Sequence, residues 1–172
     1  PGSTVAVQGI GGLGHLGVQY AARMGFRTIA MSRGADKEAL SRELGAHEYI
    51  DTKGVPAAEA LQQLGGADLV LVTAPSAEAI SSCVNGLTPR GQLLIVAAAF
   101  EPFQASALSL LSGRSIAGWP SGSAVDSEDT MAFSALTGVR PKTETFPLEQ
   151  ADAAFAKMMK KDRKSTRLNS SH

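Results

Sequence analysis

Soft metal ligands are scarce in this 172-residue chain, which has one cysteine, Cys83, and three histidines, His15, His47 and His172. A lone cysteine excludes an internal disulfide framework and any multi-cysteine zinc or iron–sulfur site. Long apolar runs are missing too. No stretch of about 18 apolar residues could span a membrane, and no basic segment followed by an apolar one opens the chain as a signal peptide would. Neither sign of charge dominates: 16 Lys+Arg balance 16 Asp+Glu, so no whole-chain basic field attracts nucleic acid or an anionic membrane. These absences favour a reducing, cytoplasmic setting with no nucleic acid or membrane partner.

What is present is a globular composition, 44% hydrophobic with 18 glycines, in a length suited to one domain. The chain opens on Pro1-Gly2, in the middle of a turn, which suggests a piece of a longer protein. Thr4 to Gln8 is a β-branched run ending in glycines and reads as a first strand. From Leu13 onward, Leu16, Gly17, Tyr20, Ala21 and Met24 recur at helical spacing, and Gly25 closes the helix. Thr28 to Met31 is a second strand, Asp36 to Leu44 a helix, and His47 to Ile50 a weak third strand. A helix from Pro56 to Leu64 precedes Asp68 to Thr73, whose unbroken apolarity predicts burial on both faces. A helix from Ala77 to Leu87 leads to a fully buried fifth strand, Gln92 to Ala98. A short helix near Leu108 to Leu111, a sixth strand from Ser115 to Gly118 and a helix from Ser127 to Thr137 complete the pattern. Such alternation predicts an α/β fold with a doubly wound parallel sheet of six strands.

Gly9-Ile10-Gly11-Gly12-Leu13-Gly14 satisfies G-x-G-x-x-G between a strand and a helix, the context that a dinucleotide-binding turn requires. Gly9 permits the tight turn, Gly11 lets backbone N–H groups reach a pyrophosphate, and Gly14 lets the helix pack closely. Gly12 and Leu13 complete the phosphate-facing turn, and the helix directs its unpaired N–H groups and positive dipole end at the phosphates. A nucleoside-bearing methyl donor could share this turn, but such sites want an acidic residue after the second strand, where an NAD site also places one. Here stand Ser32, Arg33 and Gly34. A hydroxyl, a guanidinium and Lys37 one turn further suit a ribose 2′-phosphate, so NADP(H) is the expected cofactor and NAD(H) the alternative.

Val5 through Gly17, with Glu43-Leu44-Gly45-Ala46 and Leu111-Ser112-Gly113-Arg114, closely resemble the cofactor domain of zinc-dependent alcohol dehydrogenases, of the medium-chain dehydrogenase/reductase superfamily. The match runs in consistent order over roughly Pro1 to Met159. The resemblance implies a Rossmann sheet in the order 3-2-1-4-5-6 and hydride transfer between a nicotinamide and a small alcohol or aldehyde. It implies that Thr73 and Ala74 line the adenosine and nicotinamide ribose side, Val96 and Ala98 meet the carboxamide, and Trp119 to Ser121 lie close to the nicotinamide. The zinc, its ligands and the proton relay belong to a separate catalytic domain that this sequence does not contain, so no catalytic or metal residue is expected here and the fragment alone should be inactive. A zinc-independent quinone or enoyl reductase is the alternative within the superfamily, and a non-enzymatic redox-sensing NADP(H) module the alternative outside enzymes. A homo-oligomer is left open.

The expected division is a dinucleotide-binding domain over residues 1–141 and the start of a return toward the catalytic domain over 142–160. Residues 161–172 should form a disordered tail, which resembles appended vector sequence. Within the return, Lys142 to Leu148 reads as extended and Glu149 to Met159 as an amphipathic helix. The tail carries three net positive charges, leaving the rest near minus three. Other polar groups receive structural readings. His15 is read as packing or exposed, Cys83 as a small core hydrophobe, and Asp126, Glu128 and Asp129 as helix-capping acids. The run Lys157, Lys160, Lys161, Arg163 and Lys164 is read as a solvated surface.

Overall fold

The computed structural model describes the backbone of residues 1–167 and the side chains of residues 1–159. It divides into two compact units, Pro1–Pro141 and Lys142–His172. In the first unit β1 (Thr4–Gln8), β2 (Arg27–Ser32), β3 (Glu48–Asp51), β4 (Ala67–Val72), β5 (Leu87–Ile95) and β6 (Ser115–Gly118) form one sheet. All neighbours pair in parallel, in the order β3-β2-β1-β4-β5-β6. The connecting helices are α1 (Gly14–Arg23), α2 (Glu38–Glu43), α3 (Ala57–Gln63), α4 (Ala77–Cys83) and α5 (Ala107–Leu110), and α6 (Ala124–Thr137) follows β6. This is the doubly wound Rossmann sheet that the sequence predicts.

Successive strand residues point to opposite faces, and the core divides accordingly. Ala6, Ile29, Met31, Val70, Val72 and Leu93 pack with Leu61 of α3 and with Ile80 and Cys83 of α4. On the other face Val7 and Ala30 pack with Val18 of α1 and with Leu44 and Ala46. Cys83 is fully buried, and burial pushes its thiol up to about 12, so it is an inert core residue.

Burial corrects the expectation for the central strands. Asp68 of β4 and Gln92 of β5 are exposed, while Leu69, Leu71, Leu94 and Ile95 are only half-buried. The second core face covers β3, β2 and β1 and reaches β4 only at Leu71. Helix α6 meets α1 through a Tyr20–Ser134 hydroxyl bond of 2.8 Å and a Tyr20–Phe133 ring contact, yet buries none of its own residues fully.

The fifth strand also departs from expectation, beginning at Leu87 and ending at Ile95. Its register against β4 jumps from Ala67↔Leu87 to Leu69↔Gln92, so Pro89-Arg90-Gly91 forms a bulge inside the strand, with Arg90 at φ +66°. A bulge tolerates a proline without an N–H, which is why these turn-forming residues do not mark the strand's start. Helix α6 starts three residues early because Ser123 and Asp126 make a reciprocal capping box. Asp126 thus takes its expected capping role.

In the second unit, a single 3-10 turn at Leu148–Gln150 precedes α7 (Ala151–Arg167). The Lys157 ammonium pairs with the Glu144 carboxylate and lies 5.5 Å from the Phe146 ring centre. Helix α7 runs past the expected end at Met159 into the segment expected to lack structure. Neither glycine nor proline interrupts residues 151–167, and Ala, Met, Lys and Arg favour helix. The rest of the expected tail, residues 168–172, lies outside the described residues.

Candidate cofactor site

All six strands end at one edge of the sheet, and β1 and β4 are the neighbours at which the strand order reverses. Open α/β sheets bind ligands in the crevice at that point. One further rung of backbone bonds extends the sheet there. Gly9 N donates to Met31 O, Thr73 N to Gln8 O, Val96 N to Val72 O and Trp119 N to Ile95 O, at 2.9 to 3.1 Å. This rung places Gly9, Thr73, Val96 and Trp119 along a single line.

The turn after β1 needs glycine at two places for different reasons. Gly9 has φ +96°, and a Cβ there would lie 3.0 Å from Ala74 Cβ. A Cβ on Gly14 would lie 1.7 Å from the Gly9 carbonyl oxygen and 2.8 Å from Thr73 Oγ1. Gly14 is therefore demanded by the turn itself, whereas the close approach of α1 to the sheet occurs at Gly17, beside Leu71 and Val7. The Thr73 hydroxyl donates to Gly9 O at 2.7 Å and ties the turn to the end of β4. Ala74 is half-buried next to it.

Gly11, Gly12 and Leu13 are exposed, and Cβ atoms on Gly11 or Gly12 would point into open space. Helix α1 starts directly beneath with no side-chain cap and no acidic residue in its first turn. The N–H groups of His15, Leu16 and Gly17 donate to the Gly11 and Leu13 carbonyls, which leaves those of the turn before them to meet a ligand, so this opening fits a pyrophosphate. His15 is buried, and both its backbone N–H and its Nδ1–H donate to Gly11 O, at 3.1 and 3.0 Å. That is the expected packing role, and it fixes the turn.

Ser32 ends β2 half-buried, Arg33 is exposed and Lys37 half-buried on the following 3-10 turn, all on the β2 side of the crevice. Two groups that the sequence reading did not single out shape this loop. Asp51, at the end of β3, accepts from Gly34 N at 2.6 Å and from Lys53 N at 2.8 Å, and these bonds hold its carboxyl below the usual carboxylate range. The Tyr49 hydroxyl donates to Gly34 O at 2.6 Å. Burial raises the Tyr49 phenol, a hydrogen bond with the Ser32 side chain lowers it, and Asp36, Asp51 and Glu38 raise it further. The bond from Asp51 to a donor two residues on is an Asx turn, and Asp51 before Thr52-Lys53-Gly54 was the readable signal. Pairing between strands was not readable locally.

On the other side of the crevice, β5 ends at Ile95, so Val96 and Ala98 lie beyond the strand, half-buried and exposed respectively. Trp119 is 63% exposed and Ser121 is exposed. Among the described residues no cluster of His, Cys, Asp or Glu could hold a metal ion, and no helix is long and apolar enough to cross a membrane. The described residues therefore offer a zinc ion no ligand set.

A family model described as "Zinc-binding dehydrogenase" matches residues 12–136. The chain is 48% identical over 159 residues to alcohol dehydrogenase patD of Penicillium expansum, covering 92% of this chain and 47% of that protein. It is 34% identical over 163 residues to the probable formaldehyde dehydrogenase AdhA of Bacillus subtilis (strain 168), covering 94% and 46%. The crystal structure of an alcohol dehydrogenase zinc-binding domain protein from Burkholderia ambifaria superposes with a TM-score of 0.81 at 29% identity, over 90% of this chain and 45% of that one. The chain spans about half the length of the curated relatives it matches. With the parallel 3-2-1-4-5-6 sheet, these matches show that the chain belongs to the zinc-binding dehydrogenase family, as the cofactor-binding domain of the zinc-type medium-chain alcohol dehydrogenases.

Proposed function

We propose that this chain binds a nicotinamide dinucleotide across the β1/β4 crevice, with NADP(H) preferred over NAD(H), as the cofactor half of a cytoplasmic alcohol dehydrogenase. The observation that carries this reading is the uncapped N-terminus of α1, which opens beneath Gly11 and Gly12 at the point where the strand order reverses. Backbone N–H groups of Gly12, Leu13 and Gly14 hold the pyrophosphate, and Thr73 and His15 keep the turn in shape. Ser32, Arg33 and Lys37 take the 2′-phosphate. Thr73 and Ala74 line the riboses, Val96 and Ala98 face the carboxamide, and Trp119 and Ser121 flank the nicotinamide. When bound, that ring accepts or donates the hydride exchanged with a small alcohol or aldehyde. These residues orient and bind, and none moves a proton. Substrate contacts, zinc and the proton relay belong to the other half of such an enzyme, so the chain alone turns nothing over.

Calorimetric titration of NADPH and NADH into the wild type and Arg33→Ala tests the reading. Hydrogen bonds to a charged group contribute about 1.5 to 3 kcal/mol, so Arg33→Ala should weaken NADPH about ten- to a hundredfold and leave NADH nearly untouched. Preference of the wild type for NADH, or equal weakening of both, refutes the 2′-phosphate assignment.

A further inference from the structure

Gly34 follows Ser32 and Arg33 with φ +83° and ψ 163°, a conformation open to glycine and few other residues. Both polar groups of its backbone are held by side chains from the next strand. Asp51 takes the N–H at 2.6 Å and Tyr49 donates to the carbonyl at 2.6 Å. Asp51 is itself anchored, because Thr52 N donates to Ser32 O at 2.9 Å while Lys53 N donates to the Asp51 carboxylate. The loop bearing Ser32 and Arg33 is thus bonded to β3 and the residue after it at three points.

Resting on the cofactor reading above, we propose that Tyr49 and Asp51 are positioning residues for cofactor discrimination, holding the Ser32-Arg33-Gly34 loop in the shape that presents Ser32 and Arg33 to the 2′-phosphate. Their chemistry sets this role apart from simple electrostatics. Asp51 is an anion beside a site for an anion, so by charge alone its removal should strengthen binding of the phosphorylated cofactor. As a positioning residue it does the opposite: removing it frees Gly34, the arginine no longer meets the phosphate in a fixed geometry, and binding weakens. The effect must travel through Arg33 and Ser32.

The experiment is a double-mutant cycle on the full chain, with NADPH and NADH dissociation constants measured calorimetrically for the wild type, Asp51→Ala, Asp51→Asn, Tyr49→Phe, Arg33→Ala and Arg33→Ala/Asp51→Ala. Disrupting one charge-assisted contact should raise the NADPH constant about tenfold in Asp51→Ala and about threefold in Tyr49→Phe, with NADH changing less than about twofold. Asp51→Asn keeps an oxygen acceptor for Gly34 N and should restore NADPH binding. In the Arg33→Ala background Asp51→Ala should cost much less, leaving only the share that acts through Ser32. Hydrogen exchange of the Gly34 amide should accelerate in Asp51→Ala and not in Asp51→Asn. If Asp51→Ala does not fold, Tyr49→Phe carries the same NADPH-against-NADH comparison. Tighter or unchanged NADPH binding in Asp51→Ala overturns the inference, as does equal loss for both cofactors or a full loss that persists without Arg33. A wild type that binds neither cofactor overturns the proposed function, and this inference with it, whereas good NADPH binding that no variant alters overturns this inference alone.

Discussion

Left of the switch point, along β3, β2 and β1, the candidate residues are tied down by side chains: His15 to Gly11 and Asp51 and Tyr49 to Gly34, with Thr73 reaching across from the end of β4 to Gly9. Right of it, along β4, β5 and β6, Val96 and Trp119 are each placed by one backbone bond, Ala98 and Ser121 stand in exposed loops, and Phe100 is 96% exposed. The left side is organised mostly by its own side chains. The right side presents apolar groups with little to hold them, as expected of a surface whose shape depends on contacts that these strands do not supply.

The contrast can be broken most severely at Gly14. A Cβ placed 1.7 Å from a backbone oxygen cannot be relieved by a side-chain rotation, so Gly14→Ala should cost about 3 kcal/mol or more by overpacking. Urea denaturation and loss of dinucleotide binding check this, and a variant of wild-type stability would show that the turn is not built as described. Next comes Thr73. Thr73→Ala leaves the Gly9 carbonyl without its hydroxyl donor and should cost about 1 kcal/mol, while Thr73→Ser should recover most of that. If serine and alanine behave alike in denaturation, the hydroxyl does not organise the turn.

A smaller effect is expected at the start of α6. Bonds from the Ser123 backbone and hydroxyl lower the Asp126 carboxyl, so its capping contribution is present above the ordinary carboxylate range. It is lost as pH falls through the depressed folded value, below about pH 4. Asp126→Asn should flatten that acid limb in a helicity-against-pH titration, and an unchanged limb assigns the effect to other carboxylates. Smallest of all is Trp119→Ala, which should stay within about 0.5 kcal/mol of the wild type. A drop of several kcal/mol would mean that the right side is as firmly organised as the left.

This contrast also explains what the sequence made legible. Six strands, their order and the glycine turn are local or family features, readable from Val5-Ala6-Val7-Gln8-Gly9 and from the alternation that follows. Bulges and loop clamps are not. Pro89-Arg90-Gly91 reads as a stop until pairing with β4 absorbs it, and Tyr49 and Asp51 acquire a role only when β3 lies against β2. Two-sided burial is not legible in Leu69-Val70-Leu71-Val72, because unbroken apolarity carries no information about what covers each face.

Backbone amide spectra of the chain titrated with NADPH show directly where the dinucleotide lies. The perturbed amides should cluster in Gly9 to His15, Ser32 to Gly34, and Thr73 to Ala74, with the largest shifts at Gly12, Leu13 and Gly14, where the glycine turn leads into α1. Shifts confined to the groove of about 340 Å³ beside Val55, Ala60, Gln63 and Leu64, or spectra unchanged at saturating cofactor, would contradict this placement.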